Sequence, residues 1–177
     1  MKRTLTIRCL AVGLVCLAIS GLNAGSASAL GRVSHHHTVV TASGTWVDPG
    51  PTITSVTPAG DKYQVDMTGG TTSTGDFTGV STYTLSVIFD PALNTLIGCA
   101  RETYAATLAG RGSGHVTFAE RVRVNADGSE VVTGYIVAGD GVFRDARGLA
   151  VFRGTTDPTG PNPSTGSYQM LIELAQP

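Results

Sequence analysis

Phe77-Thr78-Gly79-Val80-Ser81-Thr82-Tyr83-Thr84-Leu85-Ser86-Val87-Ile88-Phe89 alternates along its whole length. Phe77, Tyr83, Leu85, Val87 and Phe89 fall on one side, with Gly79 and Ser81 among them. An apolar residue at every second position is the period of a strand that buries one face. The same period runs through the next two segments. Residues 96–108 place Leu96, Gly98, Ala100, Glu102, Tyr104, Ala106 and Leu108 on one side. Residues 115–124 place Val116, Phe118, Glu120, Val122 and Val124 on one side and His115, Thr117, Arg121 and Arg123 on the other. Turn chemistry separates the three: Asp90-Pro91 with Asn94, then a glycine-rich hairpin at 110–114. Asn125-Ala126-Asp127-Gly128 closes the third strand, with Asp-Gly supplying the positive φ of a hairpin turn.

The flanks read the same way. Before this core, residues 38–46, 52–57 and 62–68 are strand candidates, with Tyr63, Val65 and Met67 sharing a face. They are parted by Val47-Asp48-Pro49-Gly50-Pro51, by Pro58-Ala59-Gly60-Asp61 and by a Gly/Ser/Thr-rich loop at 69–76. After it, a strand at 131–138 returns, a glycine-rich corner at 139–148 leads into a strand through Phe152, and a Pro/Gly-rich loop spans 155–166. Tyr168, Met170, Ile172 and Leu174 then align on a last strand. No stretch keeps a helical period over three turns. Seven to nine strands joined by hairpins predict an antiparallel meander, and closing it removes its exposed edges. The expected fold is all-β, a single antiparallel eight-stranded up-and-down-type barrel over residues 38–177.

Residues 1–29 read as a secretory signal. Lys2, Arg3 and Arg8 precede an apolar run from Cys9 to Leu22, and Ala27-Ser28-Ala29 is a small-residue cleavage signature. The run is shorter than the ~20 residues of a membrane span. The expectation is a secreted chain with a flexible leader at 30–37 and no membrane span after signal removal. Cys9 and Cys16 leave with the signal, so the mature chain cannot form an internal disulfide, and Cys99 reads as a small buried apolar residue. Nine of the 12 basic residues then face all 13 acidic ones, a charge of −4 with His neutral. No basic stripe suggests nucleic acid as a partner, and no basic amphipathic helix suggests a membrane surface.

Gly139-Asp140-Gly141-Val142-Phe143-Arg144-Asp145-Ala146-Arg147-Gly148, followed by Phe152 and Gly154, resembles the late signature of allene oxide cyclase-like and dirigent-like barrels. In them a G-x-G-x-F-x-x-A-x-G pattern leads into a strand that continues towards F-x-G. Residues 74–79 and 109–114 resemble bacterial members of that superfamily. The resemblance covers roughly residues 75–174. It implies an eight-stranded barrel with a mouth, in which Phe143 and Phe152 plug the interior and Ala146 permits a tight turn. Families sharing it cyclise oxylipins or polyketide-like chains, direct radical coupling, or have no assigned activity, so the signature carries a fold and not a catalytic site.

Glu102 and Glu120 are the candidate catalytic pair. Each sits on the apolar face of its strand, and the strands adjoin through 110–114. Inside a barrel both carboxyls face one pocket, where desolvation raises a carboxyl pKa and two neighbours can split into acid and base. The bland alternatives are a register one residue off, or each Glu paired with an Arg at the rim. Tyr83, Tyr104, Phe118 and Tyr135 are the candidate ligand-binding residues, and strand spacing accounts for them equally well as core. His35-His36-His37 falls in the leader, where adjacent imidazoles diverge, and His115 lacks a second ligand at metal spacing. No metal or cofactor motif is present, so the expected cofactor is none. Three functions follow. The first is a secreted barrel binding an apolar or amphipathic small molecule. The second is a cofactor-independent cyclase or isomerase of the allene oxide cyclase-like type. The third is an extracellular structural or interaction barrel without a ligand. The sequence leaves open whether the chain is an enzyme and whether it forms homo-oligomers.

Overall fold

A computed structural model of the chain describes residues 37–156 and 163–175. The signal at 1–29 and the leader through residue 36 lie outside the described residues. Ten strands are formed: β1 His37–Asp48, β2 Thr52–Ala59, β3 Lys62–Gly69, β4 Thr72–Gly75, β5 Phe77–Asp90, β6 Thr95–Leu108, β7 Gly112–Val124, β8 Ser129–Gly139, β9 Arg147–Thr155 and β10 Ser164–Ala175. A single turn of 3-10 helix, Gly141–Phe143, precedes β9. β1 takes in His37, the last residue of the expected leader, whose ring lies 3.5 Å from the Glu173 carboxylate.

The strands β5 to β10 follow one another as an antiparallel meander, β10 pairs with β1, and the short β4 bridges β1 to β5. Those eight strands close a barrel. β2 and β3, read in sequence as ordinary wall strands, form a hairpin that extends it. β3 pairs with β5 from Tyr83 to Phe89, while β4 pairs with Gly79 and Val80 of the same strand edge. β2 pairs with β3 alone and is exposed along its length, so no second layer covers it.

Alternation sorts the residues as the strand period requires. At one end of the barrel Phe77, Tyr104, Phe118, Phe143 and Tyr168 are buried together. Phe77 sits at the centre, edge-on to the other four rings at centroid distances of 5.2, 6.5, 5.9 and 6.2 Å to Tyr104, Phe118, Phe143 and Tyr168. The Tyr168 hydroxyl accepts from the Phe77 N–H at 2.9 Å and donates to the Phe77 carbonyl at 2.8 Å. The 139–148 corner delivers Phe143 to this plug. Gly141 has φ +55°, and a Cβ on Gly139 would lie 2.3 Å from the Phe143 carbonyl, so the chain folds back there only without side chains. At the other end Val65, Met67 and Val87 form a smaller cluster on β3 and β5. Cys99, expected to be buried, is only half-buried, on the opposite face of β6 from Glu102.

Candidate functional site

Between the aromatic plug and the open end lies a cavity of about 60 Å³. Its floor is Tyr104 and its walls carry Trp46, Leu85, Val122, Val132 and Phe152. Four carboxyl side chains line it: Asp48, Glu102, Glu120 and Glu130. The first comes from β1 and the others from β6, β7 and β8, so four strands converge on one acidic centre.

Glu102 and Glu120 are diagonal neighbours across β6 and β7, where Glu102 pairs with Phe118 and Ala100 with Glu120. They are only 5% and 6% exposed. The Ser81 hydroxyl, held by the Thr71 N–H at 2.8 Å, reaches the Glu102 carboxyl at 2.5 Å. Burial raises the pKa of Glu102, and the hydrogen bonds from Ser81 and Thr71 pull against that rise. Burial pushes Glu120 up well above the ordinary carboxyl range, and the neighbouring Glu102 charge and a side-chain hydrogen bond with Glu102 add to it. The two therefore titrate as one coupled pair, both shifted towards the protonated form. Gly134 of β8 leaves the space Glu120 fills, since a Cβ there would lie 3.2 Å from its Oε1. Glu120 Oε1 and the Tyr104 hydroxyl, both buried, have no hydrogen-bond partner.

Glu130 stands nearer the mouth. Burial, then the charges of Asp48 and Glu102, push its pKa up to about 7. Tyr83 pairs with Glu102 across β5 and β6, and its hydroxyl donates to Asp48 Oδ2 at 2.6 Å. Burial and the Asp48 carboxylate push its phenol pKa up. This bond spans the place where β3 has left the barrel wall and does not pair with β1. A side-chain contact there replaces a backbone ladder, at the lip of the cavity.

The alternation thus brings Glu102, Glu120, Tyr83 and Tyr104 to one cavity. Phe118 is buried in the aromatic plug beneath it rather than on its wall. Tyr135 is a correction: it lies on the outside, 55% exposed, paired with Leu149 on β9. The inward positions of β8 are Glu130, Val132, Gly134 and Ile136, so its parity puts Tyr135 outward. Asp48 was missed because it reads as a turn residue, and Glu130 because it falls between the 125–128 turn and the strand expected from residue 131. Two signals could have found them. Asp48 shares the period of Trp46, and the 125–128 hairpin pairs Glu130 with the inward Val124. His115 lies outside, its Nδ1 3.1 Å from Asp140 Oδ2. Among the described residues no group of three His, Cys, Asp or Glu side chains is placed to hold a metal ion.

No protein-family model matches the chain, and no curated protein matches it in sequence. Solved structures do match in fold. The pterocarpan synthase dirigent protein GePTS1 is similar at 18% identity and a TM-score of 0.51, over 88% of this chain and 100% of that one. The pterocarpan synthase dirigent protein PsPTS1 is similar at 13% identity and a TM-score of 0.54, over 80% of this chain and 97% of that one. The chain shares with these dirigent proteins the fold of a closed antiparallel eight-stranded β-barrel.

Proposed function

We propose that this protein binds a small amphipathic molecule in the acid-lined cavity at the open end of its barrel. The observation that carries this reading is the burial of Glu102 and Glu120 together beside an unfilled space, with Glu120 Oε1 unpartnered. A barrel packed solid for a structural role gains nothing from desolvated acids, because burying an uncompensated carboxyl costs stability. The walls offer apolar surface to the body of a ligand, and the floor offers hydrogen-bonding oxygens to its polar end. On the leader sequence, binding takes place outside the cell.

The coupled pair favours a second reading, a cofactor-independent isomerase or cyclase. Two coupled buried carboxyls can divide into the donor and the acceptor of a proton, the two roles that acid–base catalysis on one bound molecule requires. The two solved structures of like fold are pterocarpan synthase dirigent proteins, an analogy of fold that supports this reading.

Thermal unfolding against a panel of lipids, amphipathic amines, alcohols and polycyclic metabolites tests both. A ligand specific for the folded state at 100 times its Kd adds ~2.7 kcal/mol of stability. A clear upward shift with one chemical class is expected, and a flat response across the panel contradicts binding. Any ligand found is then incubated with the protein and its products analysed. Turnover lost in Glu102→Gln and Glu120→Gln, with the fold kept, marks the enzyme. Binding without conversion marks the receptor.

A further inference from the structure

The charge around the cavity is one-sided. Four carboxyl side chains line it and, among the described lining residues, there is no Lys, Arg or His. Its two buried unpartnered atoms, Glu120 Oε1 and the Tyr104 hydroxyl oxygen, can both accept. A ligand matched to this lining brings donors and positive charge. A carboxylate brings neither, and it adds like charge to a carboxyl cluster. An alcohol brings one donor, whereas a protonated amine brings two or three and no acceptor.

Size narrows the class further. A cavity of about 60 Å³ is well below the ~150 Å³ of an apolar cavity that takes up benzene, so it suits a small head such as an ammonium group rather than a ring. The remainder of such a ligand must lie in the mouth, where Leu85, Val122 and Val132 supply apolar contact. Resting on the small-molecule reading above, we infer that the barrel recognises a primary or secondary amine carried on an apolar body, its ammonium group seated between Glu102, Glu120 and Glu130.

The groups facing that seat are Asp48 from β1, Tyr83 from β5, Glu102 and Tyr104 from β6, Glu120 from β7 and Glu130 from β8; β9 contributes the apolar Phe152. Burial raises the pKa of Glu120 and brings that of Glu130 to about 7, so Glu130 is part-protonated at neutral pH. A cation entering favours their charged forms, so protons leave as the amine binds and affinity rises with pH through neutrality.

Calorimetric titration of the purified protein with hexylamine, hexanol and hexanoate, and with 2-phenylethylamine, 2-phenylethanol and 3-phenylpropionate, tests this. Each titration is run near neutral pH in phosphate and in MOPS, which differ in heat of protonation and contain no primary or secondary amine. In each series the amine is expected to bind at least about tenfold tighter than the alcohol, with no binding of the acid, and its heat to differ between buffers by the protons released. Glu120→Gln and, at the mouth, Glu130→Gln each reduce amine affinity about tenfold and diminish the buffer dependence. Alcohols or acids binding as tightly as the amines overturn the amine assignment and leave the pocket reading standing. Silence from all six compounds, while the panel above produces a shift, also overturns it. Silence in both experiments removes the two readings together.

Discussion

Raising the pH from about 4.5 to about 8 lowers the stability of this barrel, and Glu130 alone accounts for about 3 kcal/mol of the loss. The sign follows from its protonation. Its pKa is about 7 folded against 4.5 for the free side chain, so between those values the folded state binds more protons than the unfolded chain. The stability held by that proton is complete below 4.5 and is lost as pH rises through about 7. Glu102 and Glu120 shift in the same direction and extend the decline. Asp66, Asp90, Asp127 and Asp140 have pKa values lowered by hydrogen bonds, so their contribution is lost only as pH falls below the usual Asp range. Stability is therefore greatest in mildly acid solution. Urea unfolding across this range checks it, and Glu130→Gln flattens the slope near neutrality. A stability that stays level or rises from pH 4.5 to 8 contradicts the buried-acid description of the cavity.

Phe77→Ala costs ~3–5 kcal/mol, the range for deleting a fully buried aromatic side chain. Phe77 is 0% exposed and its ring meets four others, so its loss opens a void that the closed sheet cannot collapse to fill. Tyr135→Ala, at a position of similar size on the outer face, costs about 1 kcal/mol or less. Chemical denaturation of the two variants side by side measures the difference between the faces of the wall. Equal losses would mean that the alternation has been assigned wrongly on β5 or β8.

The contrast also shows how far the sequence could be read. Alternation within residues 77–89, 96–108 and 115–124 located the inward faces of β5, β6 and β7, and with them Glu102 and Glu120, because a period of two leaves only one register that buries Phe77, Tyr104 and Phe118 together. The glycine-rich 139–148 corner marked the plug residue Phe143. Alternation failed where a strand is short or begins inside a turn. β4 is four residues long and lay unseen in a Gly/Ser/Thr loop, so the departure of β3 from the barrel wall, and the lip closed by Tyr83 and Asp48, could not be foreseen. Glu130 stands two residues after Gly128, where turn chemistry masked its inward orientation. Tyr135 was misplaced because β8 holds Gly134 at an inward position, an absence of side chain that periodicity does not score. Glu120 needs that absence, since the space it occupies is the one Gly134 leaves.

The account rests on acids that hold their protons near neutral pH inside a barrel. Carbon-13 NMR titration of the Glu side-chain carboxyls, assigned by Glu102→Gln, Glu120→Gln and Glu130→Gln, measures this directly. The expected result is Glu130 titrating near 7 and the Glu102–Glu120 pair titrating in two separated steps, the second well above the ordinary carboxyl range. All three carboxyls titrating together near 4.5 would contradict it, and would mean that water reaches the cavity freely.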